Sequence, residues 1–360
     1  MATKTLNENI NQAINDFKGV KQAIIDKGVE IPSGTPTSEY GTKISEIQSG
    51  GSGGLDTSGV TNFNNLCREN RFNDQIEKID TSNGTNFSNM FYNCSSLTEL
   101  PQLDTSNGTN FENMFAYCRK LTTIPRLDTS NATTLRGVFS ECSSLTKLPP
   151  LDTSKVTTLE QEFRGCSNLT EISLTSTNKV KDFYQAFYNC SSLTELPPLD
   201  TSNATTLHTA FCNCSSLTKI PPLNTSKVGN FHSVFSGCNN LTEIPPLDTT
   251  KGTNFFGTFN NCEKVETIEM TSFSPGNNTL FGKCYALKNL IITGTITVSN
   301  NYLNLSSSTK LTVDSLLNVL NALADNTGKT KYTITLGTTN LAKLTDEQKA
   351  IATNKNYTLA

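Results

Sequence analysis

Cysteine is the residue best equipped to do chemistry in this chain, and its spacing comes first. Of 11 cysteines, Cys94, Cys118, Cys142, Cys166, Cys190, Cys214, Cys238 and Cys262 follow one another at intervals of 24 residues. On stacked coils, neighbouring cysteines would meet the distance a disulfide needs, but parallel side chains fit its dihedral poorly. A free thiol in such a series acts as a small buried hydrophobe, so a structural ladder is expected, with no metal and no cofactor. Cys212 departs from the ladder two residues before Cys214 and is expected to be the exposed one.

The two histidines, His208 and His232, stand one interval apart, with Cys212 four residues after His208. Together they could hold a surface metal, yet no fourth ligand or supporting shell is evident. As nucleophile and base, Cys212 and His208 lack an orienting carboxylate and an oxyanion hole. Asp56, Asp80, Asp104, Asp128, Asp152, Asp200 and Asp248 form a further column, interrupted by Ser176 and Asn224. Acid–base catalysis needs carboxylates in unlike environments, whereas a repeated Asp suits turn closure through its own side chain. Calcium along this column would want denser ligand loops. The chain is not expected to be an enzyme.

What positions these columns is a 24-residue unit, LDTSNGTNFENMFAYCRKLTTIPR from Leu103 to Arg126. Phe91, Phe115, Phe139, Phe163, Phe187, Phe211, Phe235 and Phe259 precede each ladder cysteine by three residues, and a Leu or Val follows each by three. Phe111, Met114, Phe115 and Cys118 fall at i, i+3, i+4 and i+7, which reads as a short helix. Thr109 with Glu112, and Thr157 with Glu160, have capping-box spacing at its start. Leu121 to Ile124 reads as a very short strand ended by Pro125. One such coil cannot bury its apolar stripe alone, so coils must stack into a solenoid at about 4.8 Å per turn, roughly 50 Å for about ten coils. The unit loses its Pro-Pro-Leu-Asp signature at Ser173–Thr177.

Recognition of a partner would fall to columns that vary. One reads Ser88, Glu112, Arg136, Glu160, Tyr184, His208, His232, Phe256; another reads Tyr92, Ala116, Ser140, Arg164, Tyr188, Cys212, Ser236, Asn260. Tyr184, Tyr188, His208, Cys212, His232 and Phe256 are therefore the candidate binding residues, since aromatic rings can stack on sugars or anchor a protein contact. A varied solvated surface would look the same. A threonine column (Thr98, Thr122, Thr146, Thr170 and on) could suggest ice binding, but Glu99, Lys147 and Lys219 interrupt it.

The ends do not repeat. Leu6, Ile10, Ala13, Phe17, Val20 and Ile24 keep the rhythm of a coiled coil, so residues 5–27 are expected to form an oligomerising or docking helix stopped at Gly28 and Pro32. A second helix is expected over Thr37–Gln48, then a Gly/Ser linker over 49–54. After Leu290, a strand over Ile291–Val298, a helix over Val313–Ala324, a strand over Lys331–Leu336 and a helix over Thr345–Thr353 should form a small cap. A net charge of −3 without a basic stripe excludes an electrostatic grip on nucleic acid, and no apolar run is long enough for membrane insertion. The start, Met1–Leu6, does not read as a secretory signal peptide, so use without secretion is expected.

The run Asn89-Met90-Phe91-Tyr92-Asn93-Cys94-Ser95-Ser96-Leu97, with Ile79-Asp80-Thr81-Ser82-Asn83 before it, resembles the BspA-like leucine-rich repeats. That resemblance spans about two-thirds of the chain and implies a repeat fold, with adhesion to surfaces and proteins as the associated activity. Asn7-Glu8-Asn9-Ile10 with Val20–Ile25, Ile31-Pro32 and Tyr40–Ile44, and at the other end Tyr332–Gly337, Asn340–Thr345 and Ile351–Lys355, resemble phage tail-associated proteins. The expected architecture is thus α/β, a leucine-rich-repeat-type solenoid over 55–290, between a helical segment at 1–48 with its linker at 49–54 and an α+β cap at 291–360. The expected role is a virion protein displaying a surface for host attachment, through a glycan or protein, with residues 5–27 joining sister chains or other virion proteins. A secreted or cell-surface bacterial adhesin, or a purely architectural spacer, are the alternatives.

Overall fold

Two positions in each coil from Phe63 to Cys262 have a left-handed backbone, and they decide what the repeat becomes. A computed structural model describes residue 57 and residues 59–70, 79–276 and 279–360. The expected helices over 5–27 and 37–48 (with Leu6, Ile10, Ala13, Phe17, Val20 and Ile24), the linker at 49–54 and Asp56 lie outside those residues. Asn89, Asn113, Gly137, Gln161, Gln185, Thr209, Ser233 and Gly257 have φ between 51° and 64°. Four residues on, Asn93, Tyr117, Glu141, Gly165, Asn189, Asn213, Gly237 and Asn261 have φ between 56° and 78°.

With the hand reversed twice, the expected helix over Phe111–Cys118 does not form. Alternate amides instead leave the coil: Phe87, Asn89 and Phe91 donate to the carbonyls of Asn110, Glu112 and Met114 in the next coil, each at 2.8 Å. The amides between them, of Met90, Tyr92 and Cys94, turn back three residues to Phe87, Asn89 and Phe91 at 3.0–3.1 Å. Every backbone donor in this ribbon is satisfied, half of them across coils. The expected capping boxes go the same way. The Glu112 amide is taken by Asn110 Oδ1 at 3.0 Å, while the Thr109 hydroxyl donates to the Thr85 carbonyl.

The expected strand is reduced in most coils to single contacts, such as Thr122 to Thr98 and Thr242 to Thr218, both at 3.2 Å. Proline explains the reduction, because it brings no amide to the ladder. Where the prolines are missing, Leu151 bridges Leu174, and two full strands form, β1 (Thr267–Met270) and β2 (Asn289–Ile292). They pair in parallel from Thr267↔Asn289 to Met270↔Ile292. The coils therefore stack in parallel, one register per repeat, as a solenoid.

Inside, nine phenylalanines from Phe91 to Phe281 stack coil on coil with centroids 5.4–6.1 Å apart and planes within 23° of parallel. Beside them the cysteines are all free and buried. Each ladder thiol donates to a carbonyl of the preceding coil, Cys118 to Phe91 and Cys166 to Phe139 at 3.0 Å. The thiol thus fills space and saturates a second lone pair that no amide reaches. A buried threonine ladder does the same elsewhere in the coil: the Thr105 hydroxyl donates to the Asp128 carbonyl at 3.0 Å and accepts the Asp128 amide at 2.8 Å.

The ladder runs on past Leu290. Helix α1 (Val313–Ala322), capped by Thr312, sends Ser315 Oγ and Asn318 Oδ1 to the amides of Leu290 and Ile292, each at 2.7 Å. These side chains close an edge that would otherwise invite another strand. Strands β3 (Tyr332–Ile334) and β4 (Tyr357–Leu359) pair in parallel around α2 (Thr338–Leu341) and α3 (Asp346–Thr353). Thr345 and Gln348 form a reciprocal cap on α3, and Lys355 Nζ satisfies the carbonyls of Leu320, Asn321 and Leu323 at the end of α1. One continuous apolar cluster extends from Phe63 to Tyr357.

Candidate functional site

The same local device presents each residue of the first variable column. Two residues earlier in every coil stands an Asn, Thr or Asp whose side-chain oxygen accepts the amide of the displayed residue: Asp182 Oδ1 from Tyr184 at 2.7 Å, Thr206 Oγ1 from His208 at 3.2 Å, Asn230 Oδ1 from His232 at 3.0 Å and Asn254 Oδ1 from Phe256 at 3.1 Å. Parallel bridges join Thr158, Asp182, Thr206, Asn230 and Asn254 in sequence, so the displayed side chains are stacked by the backbone itself. Tyr184, His208, His232 and Phe256 consequently form an unbroken row. Their centroids are 5.0, 4.6 and 4.9 Å apart and the planes are tilted by 49°, 37° and 33°. At that separation each ring packs against its neighbour in the row in a tilted arrangement. Phe256 ends the row with 47% of its surface exposed.

Earlier in the same column the chemistry is ionic. Arg136 lies between Glu112 at 2.7 Å and Glu160 at 2.9 Å, and these partners raise its pKa further. At the junction stands Asp182, half-buried, its carboxyl pushed up by burial against the pull of the Tyr184 amide. Burial lowers the pKa of both His208 and His232; Asp182 opposes the shift at His208, whereas His208 adds to it at His232. Both imidazoles are thereby favoured as neutral rings at neutral pH.

Tyr188 and Cys212 belong to the neighbouring column. The guanidinium of Arg164 sits 5.7 Å from the Tyr188 ring centroid while Arg164 holds Glu141 at 2.7 Å. Cys212 is the least covered cysteine, but at 9% exposure it is buried, contrary to the expectation of an exposed thiol, because its side chain folds against the wall of coils near Ser236. Burial pushes its thiol up to about 11, so it is a poor nucleophile at neutral pH. No group of three or more His, Cys, Asp or Glu among the described residues could hold a metal.

The aspartate column closes turns, as its spacing implies. Asp104, Asp128, Asp152, Asp200 and Asp248 each accept the amide of the Ser or Thr two residues on. Hydrogen bonds from those same residues hold their carboxyls below the usual range. Three of them, Asp104, Asp128 and Asp152, line an open trough of about 860 Å³ with Arg126 at its rim.

Two residues escape a reading of the exposed columns. Glu162 is fully buried with no close hydrogen-bond partner on either carboxylate oxygen, in the column otherwise occupied by Met90, Met114, Val138, Ala186, Ala210, Val234 and Thr258. Burial raises its pKa well above the carboxylate range. Thr209, beside His208, has φ of 52°, a left-handed conformation that a β-branched residue adopts only under strain. Aligning the inward columns as carefully as the outward ones would expose both.

The family described as "Mycoplasma protein of unknown function, DUF285" matches residues 38–149, 122–220 and 181–281. No curated protein matches. Among solved structures, the chain is similar to a T. pallidum leucine-rich repeat protein at 18% identity, over 54% of this chain and 78% of that one, with a TM-score of 0.32. It is similar to a leucine rich cell surface protein of Faecalibacterium prausnitzii A2-165 at 19% identity, over 58% and 76%, with a TM-score of 0.25. A plant peptide hormone receptor, RGFR1 in complex with RGF2, aligns at 10% identity over 74% and 52%, with a TM-score of 0.23.

Proposed function

The chain belongs to the DUF285 family, and from that premise we propose that it is a repeat protein for binding and adhesion, whose contact surface is the row Tyr184, His208, His232 and Phe256. The observation that carries this reading is the row itself: in a wall built to repeat, four consecutive coils stack aromatic rings on the surface. Structural economy does not require it, since Glu112, Arg136 and Glu160 occupy the same column without rings. Stacking fixes the side chains in advance, which reduces the entropy lost on binding. The row offers a partner imidazole nitrogens and the tyrosine hydroxyl, with the exposed Phe256 as the apolar anchor. Tyr188 and Cys212 flank this contact.

The setting, attachment of a phage virion to its host or adhesion from a bacterial surface, rests on the flank and repeat resemblances alone. Proteomics of purified virions separates the two settings. The contact itself is tested with the full chain on a panel of intact bacterial cells. The wild type should be retained by at least one strain, and His208→Ala with His232→Ala should reduce retention about tenfold or more, the loss expected on removing two central anchors. Equal retention of that variant, or no retention of the wild type by any strain, would leave an architectural spacer as the better account.

A further inference from the structure

The chain's only two histidines stand next to each other in the row, and theirs is its shortest interval, 4.6 Å between centroids. Both rings are half-buried. His208 is faced by the Asp182 carboxylate and the Tyr184 ring from the coil before, and by His232 from the coil after. His232 is faced by His208 and by the uncharged Phe256. Asp182 in turn has Glu160 and Arg136 on its far side, and one of its oxygens is occupied by the Tyr184 amide.

This environment treats a first and a second proton differently. One proton on His208 gains the neighbouring Asp182 carboxylate. A second, on His232, meets a like charge at stacking distance with no carboxylate of its own. Two imidazolium rings repel across a half-dry contact, where charge is poorly screened. The row must then part at that step, or the second proton must wait for a much lower pH.

We propose that the His208–His232 pair makes this surface acid-sensitive: the row is closed and partner-competent near neutral pH, and protonation of the pair opens it and releases the partner. The release rests on the binding role proposed above, whereas the coupled titration does not. The sign follows from the direction of both shifts. Groups that resist protonation when folded cost stability as the pH falls below their unfolded value of 6.5. The weakening therefore sets in on acidification, not on alkalinisation.

Two arms test it on the full chain. In the first, ¹⁵N-histidine labelling gives two imidazole signals to titrate. The pair requires both midpoints below that of free histidine and separated by about one unit or more. His232→Gln should raise the His208 midpoint, and Asp182→Asn should lower it. Two coincident titrations at the free value would overturn the pair outright. In the second arm, retention on the cell strain that holds the wild type is compared at pH 7.5 and pH 5. The wild-type ratio should be about tenfold or more, falling toward one in His232→Gln whatever retention that variant keeps. An unchanged ratio would overturn acid release even with the titration intact. If no strain holds the wild type, the binding role fails, and the titration arm still decides the coupling.

Discussion

From Glu112 to Glu160 the outer column of the wall is ionic, and from Tyr184 to Phe256 it is aromatic, although the same backbone bridges carry both stretches. The interior changes at the same place. Its matching column holds Met90, Met114 and Val138 before the junction and the smaller Ala186, Ala210, Val234 and Thr258 after it, with Glu162 between. The phenylalanine and cysteine ladders pass through unaltered. Those ladders set the coil, so both flanking columns are free to differ, and they differ together. The chain is thus two half-solenoids with different surfaces on one frame, joined where an acid is buried without a partner.

The junction gives the largest expected effect. A carboxyl in a largely apolar column gives up its hydration, and burial outweighs the pull of the Val138 backbone on a side chain with no close hydrogen-bond partner. Its folded pKa lies above the unfolded value of 4.5, so its contribution is best below that pH and is lost as the pH rises. The loss amounts to about 1.4 kcal/mol per pH unit until the folded carboxyl itself ionises. Glu162→Met, which restores the residue found at Met90 and Met114, should raise stability at pH 7 by about 3 kcal/mol. It should also flatten the decline as the pH rises above 5 in urea unfolding. A variant no more stable than the wild type, with the same pH slope, would mean that the halves do not meet at a weak point.

How much of this was open to a reader of residues alone depends on which physical signal each feature left. The solenoid was legible because Phe91, Cys94 and Leu97 recur in fixed register. Of the elements at the C-terminal end, α1, α3 and β3 were legible from their ordinary periodicities, whereas the strand expected over 291–298 forms earlier, as β2, and α2 and β4 left no such signal. The helix expected over Phe111–Cys118 was not a safe reading, since a ribbon of alternating turns places the same residues inward at i, i+3, i+4 and i+7. What distinguishes the two is Asn or Gly at Asn89, Asn113, Gly137 and again at Asn93, Gly165, Gly237, residues that accept a left-handed backbone and that a helix interior avoids. The site was half legible. Tyr184, His208, His232 and Phe256 could be placed in one column by counting, but Cys212 could not be placed inside, because exposure in a ribbon of turns does not follow helical angles.

A smaller effect separates the halves at the left-handed position itself. The ionic stretch fills it with Asn113, Gly137 and Gln161 and the aromatic stretch with Gln185, Ser233 and Gly257, but the aromatic stretch alone also places a β-branched residue there, Thr209. Thr209→Asn should therefore raise stability by about 1 kcal/mol, relieving the β-branched strain without the chain entropy that Gly would add to the unfolded state. Thermal unfolding reads the gain. Unchanged or lower stability would show that the hydroxyl's bond to the His208 carbonyl outweighs the strain.

The smallest effect probes the ionic stretch. Arg136 bridges two glutamates on adjacent coils, but all three side chains are partly in water, and such pairs contribute little after screening and side-chain ordering. Arg136→Met keeps the aliphatic stem over the wall and removes only the charge. The expected loss is under about 1 kcal/mol at low salt and close to nothing at about 1 M salt, where the screening length is shorter than the spacing of the coils. Cell retention should be unaffected, because the partner contact lies some coils away. A loss of several kcal/mol that persists in salt would make the ionic stretch a structural clamp, and a loss of retention would extend the contact surface across the junction and erase the division between the two halves.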